Sequence, residues 1–258
     1  MLSNHSSVPL AHLIKLFCAL FIAGILLTLP LYQFDFRKFV RTKLFIKIVF
    51  WVPIFIVFVV LLYLNNAARL CILLILVSLT FTELLRALRH TSLDKRITPI
   101  IFYLFLSIAQ LHFYILGVVY KNQLIELLII ICFASVLSDV TAFFMGNYVG
   151  KHKLPAVFNN KKSWEGVAGQ ILGALGGVLL VDKYIVHVSI VWIFLPIGLG
   201  AAVGDLANSH VKHLLAIKDW SNSIPGHGGY IDRLSSLVGS ALFTFYFLKL
   251  FHVMLPSL

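Results

Sequence analysis

The chain has 258 residues, 60% of them hydrophobic and 12% charged, with 22 Phe and a formal net charge of +11. Soluble domains run nearer half apolar and a quarter charged, and no polar stretch here is long enough to build one. Apolar runs of about 20 residues recur along the whole length, which predicts an all-α, polytopic membrane helix bundle and excludes a large soluble domain.

Eight spans are predicted, at about 8–31, 44–64, 67–87, 98–120, 124–144, 166–181, 186–207 and 234–255, within a range of seven to nine. The first is long for a signal peptide, carries Lys15 and follows a head without Lys or Arg, so it is expected to be retained as a span. The sixth is rich in glycine (Gly166, Gly169, Gly173, Gly176, Gly177), a pattern of close helix packing. The seventh is expected to break near Pro196 and Gly198-Leu199-Gly200. Cys18, Cys71 and Cys132 fall in apolar runs without metal-like spacing and read as packed thiols. The whole chain reads as one membrane domain, with an apolar half without motifs (1–134) and a motif-bearing region (135–240).

The cations set the topology. Odd-numbered loops and their borders hold fifteen Lys and Arg, and even-numbered loops hold four. The positive-inside bias therefore places the odd loops in the cytoplasm. A bacterial inner membrane fits this pattern best. The basic balance suits anionic headgroups and an anionic substrate, and nucleic acid is not expected as a partner.

Ten carboxylates are present. Asp35, Asp94 and Asp182 read as solvated loop charges, while Glu83 and Glu126 lie in or near spans, where an ionisable group is costly and often functional. Asp205, Asp219 and Asp232 stand out because they share a window with Lys212, Lys218, Arg233 and the turn Pro225-Gly226-His227-Gly228-Gly229. Asp205 is expected to end one helix and Asp232 to open the next, so that the turn between them brings the two carboxylates together. Two carboxylates and a polyphosphate are a usual seat for Mg2+. The glycines are expected to offer bare backbone amides to an anion, with His227 as a donor. A second cluster runs from Ser138-Asp139 through Gly146 to Lys161-Lys162-Ser163-Trp164-Glu165-Gly166. Ser163 suits an N-cap and Glu165 a first-turn acid, and the same helix start with Lys161 and Lys162 is a ready anion site.

Together these clusters resemble the phosphatidate cytidylyltransferase (CDP-diacylglycerol synthase) family. The resemblance rests on Asp139 with Ala142 and Gly146, the Lys-Lys-Ser-Trp-Glu-Gly run and Gly204-Asp205. It continues through Ser209, Lys212-His213, Lys218-Asp219, His227-Gly228-Gly229 and Asp232-Arg233-Leu234-Ser235. It implies transfer of a cytidylyl group from CTP to phosphatidate or a similar lipid phosphate, with Mg2+ and a homodimeric assembly. Asp205 and Asp232 would be the metal carboxylates, with Lys212, Lys218 and Asp219 catalytic. Asp139, Lys161, Lys162, Ser163, Glu165, Ser209, His227, Gly228, Gly229 and Arg233 would bind substrate. A lipid phosphate is already mostly ionised near neutral pH, so such a site needs charge stabilisation more than a strong base.

Two positions depart from the family's signature: His213 stands in place of Arg and Ser235 in place of Asp. Restoring both is expected to raise activity if divergence has weakened it. Two other readings remain open on the sequence: a CTP-dependent kinase of a lipid such as a polyprenol, and a non-catalytic transporter or membrane partner built around Glu83 and Glu126.

Overall fold

The computed structural model describes residues 10–29, 34–89, 91–155, 162–185 and 191–251. Among these the chain is all-α: α1 (Leu10–Thr28), α2 (Phe36–Val40), α3 (Lys43–Tyr63), α4 (Asn66–Leu88), α5 (Ile97–Tyr148), α6 (Trp164–Tyr184), α7 (Phe194–Leu214) and α8 (Tyr230–Leu250), with two short 3-10 turns. Local chemistry starts several of them. Thr42, Asn65 and Ser163 cap α3, α4 and α6 by accepting from the amides of Phe45, Ala68 and Gly166, which satisfies donors a helix start leaves open.

Six segments are long and apolar enough to cross a membrane: Leu44–Tyr63, Asn66–Leu88, Leu93–Val119, Ile125–Tyr148, Trp164–Tyr184 and Val191–Leu214. The apolar stretch Leu10–Leu26 in α1 is shorter, and α8 is 21 residues long but carries Asp232, Arg233 and Lys249. With α1 and α8 the described residues form eight long helical segments, because α5 counts twice. Its backbone is helical for 52 residues, yet its partners exclude a straight rod. His112 Nε2 lies 2.8 Å from Tyr246 Oη, and Ser135 Oγ lies 3.4 Å from Ser240 Oγ. At about 1.5 Å per residue, His112 and Ser135 would stand roughly 34 Å apart along a straight helix, while Tyr246 and Ser240 are roughly 9 Å apart. The chain must reverse between them, so the fourth and fifth expected spans are two antiparallel halves of one helical stretch.

Small residues fix the packing. Gly166, Gly169, Gly173 and Gly177 form one stripe of α6 against the second half of α5: an added Cβ at Gly177 would come 2.5 Å from Ala134 Cα, and one at Gly173 would come 2.5 Å from the Leu137 carbonyl. The α7–α8 contact is as close, with a Cβ at Gly204 falling 2.1 Å from the Ser235 carbonyl. The expected break in the seventh span is absent. The described helix begins only at Phe194, so Pro196 occupies its first turn, where a missing N–H leaves no bond unmade. From there α7 runs unbroken to Leu214. Asp205 therefore lies within a helix, on the same element as Asn208, Ser209 and Lys212, and does not end one. Cys18 and Cys71 are exposed on the bundle's surface, and Cys132 is half-buried.

The contacts gather the odd-numbered connections at one end of the bundle. Lys47 near the start of α3 underlies Gly226, and Glu83 near the end of α4 meets the start of α8. Asp139 near the end of α5 meets Ser236, and Lys162 before α6 meets Asp205. The grouping expected from the cation count is thus present in the fold.

Candidate active site

Asp232 is the best-anchored acid at this end. It stands in the first turn of α8 with its side chain 2% exposed. Its Oδ1 accepts from Lys212 Nζ at 2.6 Å and Asn208 Nδ2 at 3.3 Å; its Oδ2 accepts from the amides of Trp220 and Gly229, both at 3.0 Å. Asn208 is itself fixed, accepting from Trp220 Nε1 at 2.7 Å. Oδ1 thus ties α8 to α7, and Oδ2 holds the loop between them in place.

Asp205 keeps different company. Its Oδ2 pairs with Lys162, whose Nζ also donates to the Asp205 carbonyl at 3.2 Å. Its side chain is 39% exposed. Asp139 lies within electrostatic range of Asp205, Lys162 and Arg233, and its Oδ2 accepts from Ser236 Oγ at 3.0 Å. Asp205 and Asp232 are held by separate partners on α7 and α8. Asp232 engages α7 at Asn208 and Lys212, three and seven residues beyond Asp205, or about 4.5 and 10 Å farther along the axis. The neighbouring carboxylates are Asp139 with Asp205, and Asp219 with Asp232, which meet around Gly228.

The glycine turn also differs from its expected role. Gly226 and Gly228 have φ of +75° and +83°, the left-handed region that glycine enters at little cost. The amides of His227 and Gly228 donate to the Ile224 carbonyl, and that of Gly229 donates to Asp232. They close the turn and are not offered to an anion. A Cβ at Gly228 would approach Asp232 Oδ2 to 2.8 Å and Asp219 Oδ1 to 3.2 Å, so the motif's glycine makes room for two carboxylates. His227 is nearly buried. Burial first, then the charge of Arg233, pushes its pKa down to about 4; the Pro225 carbonyl opposes this and Lys47 adds to it. The ring faces the Pro225 carbonyl through Nδ1 at 3.4 Å, a contact that favours the proton on Nδ1.

Of the remaining expected residues, Lys218, Asp219 and Arg233 are exposed around the turn, and Ser209 is buried in α7. Ser163 is buried as the α6 N-cap. Glu165 points away from the acids, to His152, whose Nδ1 is 2.6 Å from Oε1 and whose amide is 3.1 Å away. Lys161 lies outside the described residues.

Glu83, set among the apolar residues of α4, is 1% exposed. Its Oε1 accepts from Ser221 Oγ at 2.5 Å and the Tyr230 amide at 2.9 Å, and its Oε2 accepts from the Ile231 amide at 3.0 Å. A buried carboxylate on the first amides of a helix is favoured by both hydrogen bonding and the helix dipole. The sequence signal was an acid in an apolar span, and the structure gives it a structural partner set in place of a transport role. Asn208 and Lys47 were also unassigned by sequence, the first as an ordinary amide, the second as a cation inside a span.

Among the described residues no group of three or more His, Cys, Asp or Glu converges as a metal cluster. Mg2+ binds through one or two carboxylates, substrate phosphates and water. Asp139 and Asp205 fit that demand as neighbouring hard-oxygen donors, each with one oxygen, Oδ2, engaged by Ser236 and Lys162 respectively. Asp232 fits it less well, since a metal there would displace Lys212 or an amide.

Comparison with known proteins places these features. The profile of the cytidylyltransferase family matches residues 116–251. The chain is 37% identical over 113 residues to a phosphatidate cytidylyltransferase of Mycobacterium bovis, which covers 42% of this chain and 37% of the relative. It is 35% identical over 127 residues to one of Brucella abortus, covering 48% and 47%, and 36% identical over 121 residues to one of Mycobacterium leprae, covering 45% and 38%. The matched stretch thus spans less than half the length of each of these relatives.

Proposed function

Because the chain belongs to the cytidylyltransferase family, we propose that it is an integral membrane enzyme that transfers the cytidylyl group of CTP to phosphatidate or a similar lipid phosphate. The products are a CDP-lipid and pyrophosphate. The observation that carries this reading is the convergence of Lys162, Lys212, Lys218 and Arg233 with Asp139, Asp205, Asp219 and Asp232 at one end of an apolar bundle. A site there meets a water-soluble triphosphate and a membrane lipid at once. The cation bias of the odd loops puts this end in the cytoplasm.

A phosphate oxygen of the lipid attacks the α-phosphorus of CTP, forming a new P–O bond as the bond to the β-phosphate breaks. The lipid phosphate is already largely dianionic, so no strong base is required. Charge spreads over the transferring and leaving phosphates, and preorganised cations stabilise it. Lys162 and Lys212 are held in place by Asp205 and Asp232, so their ammonium groups are positioned before substrate arrives. Asp205, with Asp139 beside it, would hold Mg2+, which would supply charge neutralisation to the phosphates. Asp232 acts by fixing Lys212 and the loop that carries Lys218 and Asp219.

The test is pyrophosphate release by the purified chain in detergent with CTP, phosphatidate and Mg2+, beside Asp205→Ala. Release that needs lipid, metal and Asp205 supports the reading. CDP in place of pyrophosphate would identify a lipid kinase, and no release from folded protein would refute nucleotidyl transfer to this lipid.

A further inference from the structure

The cations at the site divide by their partners. Lys162 is paired with Asp205 and Lys212 with Asp232. Lys47, Lys218 and Arg233 form no salt bridge with a described residue, and yet they border one turn: Lys47 lies against Gly226, Asp219 beside Lys218 lies against Gly228, and Arg233, Asp219 and Lys218 all act on Lys47. With His227 neutral, three positive charges meet Asp219, and Asp139 acts on Arg233 alone of the three. Like charges held close in a partly buried place repel unless an anion lies between them.

Lys47 is fixed where it stands. It lies in the second turn of α3, well before the stretch matched by the family profile. Its stem packs under the turn: a Cβ added at Gly226 would come within 3.1 Å of Lys47 Cγ and 3.3 Å of its amide nitrogen. Its Nζ lies 5.6 Å from the centre of the Phe143 ring, a cation–π contact that orients the ammonium without neutralising it. It is half-buried, where a charge acts more strongly than in bulk water.

We propose that Lys47, with Lys218 and Arg233, binds the β- and γ-phosphates of the nucleotide, and hence the departing pyrophosphate. The ligand class is a condensed inorganic or nucleotide polyphosphate. The assignment of these phosphates to CTP rests on the reaction proposed above; the anion seat itself rests on the cations.

The test uses the full chain in detergent and two probes, magnesium pyrophosphate and CMP, the second lacking the β- and γ-phosphates. Binding is read by calorimetry and by ligand-induced change in melting temperature, neither of which needs turnover. Lys47→Gln, which keeps much of the stem, is expected to weaken pyrophosphate binding about tenfold, as for loss of one charge-assisted contact. CMP binding should be unchanged and Lys47→Arg should retain most of the affinity. Unchanged pyrophosphate affinity in Lys47→Gln overturns the proposal, as does a parallel loss of CMP, which would mean a general structural role. If Lys47→Gln does not fold, Lys47→Met, which keeps the apolar stem and removes the charge, takes its place: selective loss of pyrophosphate binding with CMP binding intact supports the seat, and unchanged binding or equal loss of both overturns it. Selective loss of pyrophosphate binding in a chain that does not turn over CTP with phosphatidate would uphold the seat and refute the reaction. Turnover with pyrophosphate inhibition equal in parent and variant would do the reverse.

Discussion

Replacing Glu83 with Gln probes whether the apolar half of the chain holds the site together. The carboxylate accepts three hydrogen bonds, from Ser221 Oγ, the Tyr230 amide and the Ile231 amide. A glutamine can keep its oxygen on Ser221 and Tyr230, but then turns its NH2 toward the Ile231 N–H. That sets donor against donor. Water cannot easily intervene, because even a Cβ at Gly229 would lie 2.7–2.9 Å from the carboxylate. Loss of one charge-assisted bond costs roughly 1.5–3 kcal/mol, and removal of the negative charge from the α8 N-terminus about 1 kcal/mol more. Relief of burying a charge offsets part of this, leaving a net loss of about 3 kcal/mol. For a chain of this size that corresponds to a fall of roughly 6–12 °C in melting temperature. The assay is thermal unfolding of ligand-free protein in detergent, with pyrophosphate release measured in parallel. Turnover should fall too, because Asp232 lies one and two residues beyond the amides that Glu83 holds. A variant that melts within about 1 °C of the parent would refute the claim that this carboxylate anchors α8.

Asp205 and Asp232 should separate by stability. Asp205→Asn is expected to abolish pyrophosphate release while changing the melting temperature little, because an ion pair at a side chain 39% exposed is worth at most about 1 kcal/mol. Asp232→Asn should lose both activity and about 3 kcal/mol, since its one remaining oxygen can serve either Lys212 or the two amides but not both; equal melting temperatures for the two variants would contradict this. His227 predicts a pH effect. Its pKa is near 6.5 when unfolded and about 4 when folded, so the unfolded chain binds the extra proton between those values, and stability falls as pH drops from about 6.5 toward 4. His227→Gln should flatten that part of the stability–pH curve, and an unchanged slope would refute the buried neutral ring.

The bundle was legible because apolar runs of membrane length leave little choice, and the odd-loop grouping followed from cation counting. The residues of the site were legible because they are crowded into two polar windows between apolar helices. What those residues bond to was not. The Pro225–Gly229 turn reads as an open set of amides, but closing the turn already uses them, and only the three-dimensional path shows Ile224 and Asp232 as their acceptors. The split between Asp205 and Asp232 depends on α7 continuing for nearly two turns past Ala207, where the apolar pattern ends but the helix does not. Lys47 and Glu83 come from spans that the motifs do not touch, and their roles arise from where α3 and α4 deliver them. The interval that holds the reversal within α5 contains Gly117 and no proline, so the sequence shows two spans and the backbone shows one helical stretch.

The same reasoning bears on the two departures from the family signature. One turn along α8 from Asp232 there are two serines, and they face different surroundings. Ser236 donates to Asp139 at 3.0 Å and so belongs to the polar cluster. Ser235 is 2% exposed, and its hydroxyl has no hydrogen-bond partner among the described residues. It lines a cavity of about 90 Å³ with Phe102, Leu106, Leu242 and Phe243 between α5, α7 and α8, the rest of whose lining is apolar. A carboxylate placed there by Ser235→Asp would be buried without a cation, a cost of several kcal/mol unless it takes up a proton. It would not join Asp139 and Asp205. The expected outcome is a lower melting temperature and no gain in pyrophosphate release. His213 is exposed near the end of α7, so His213→Arg carries no burial cost and should leave stability unchanged. Measuring both variants separates the positions. If Ser235→Asp instead raises turnover at an unchanged melting temperature, the cavity side of α8 belongs to the catalytic site, and the arrangement of its carboxylates must be redrawn around it.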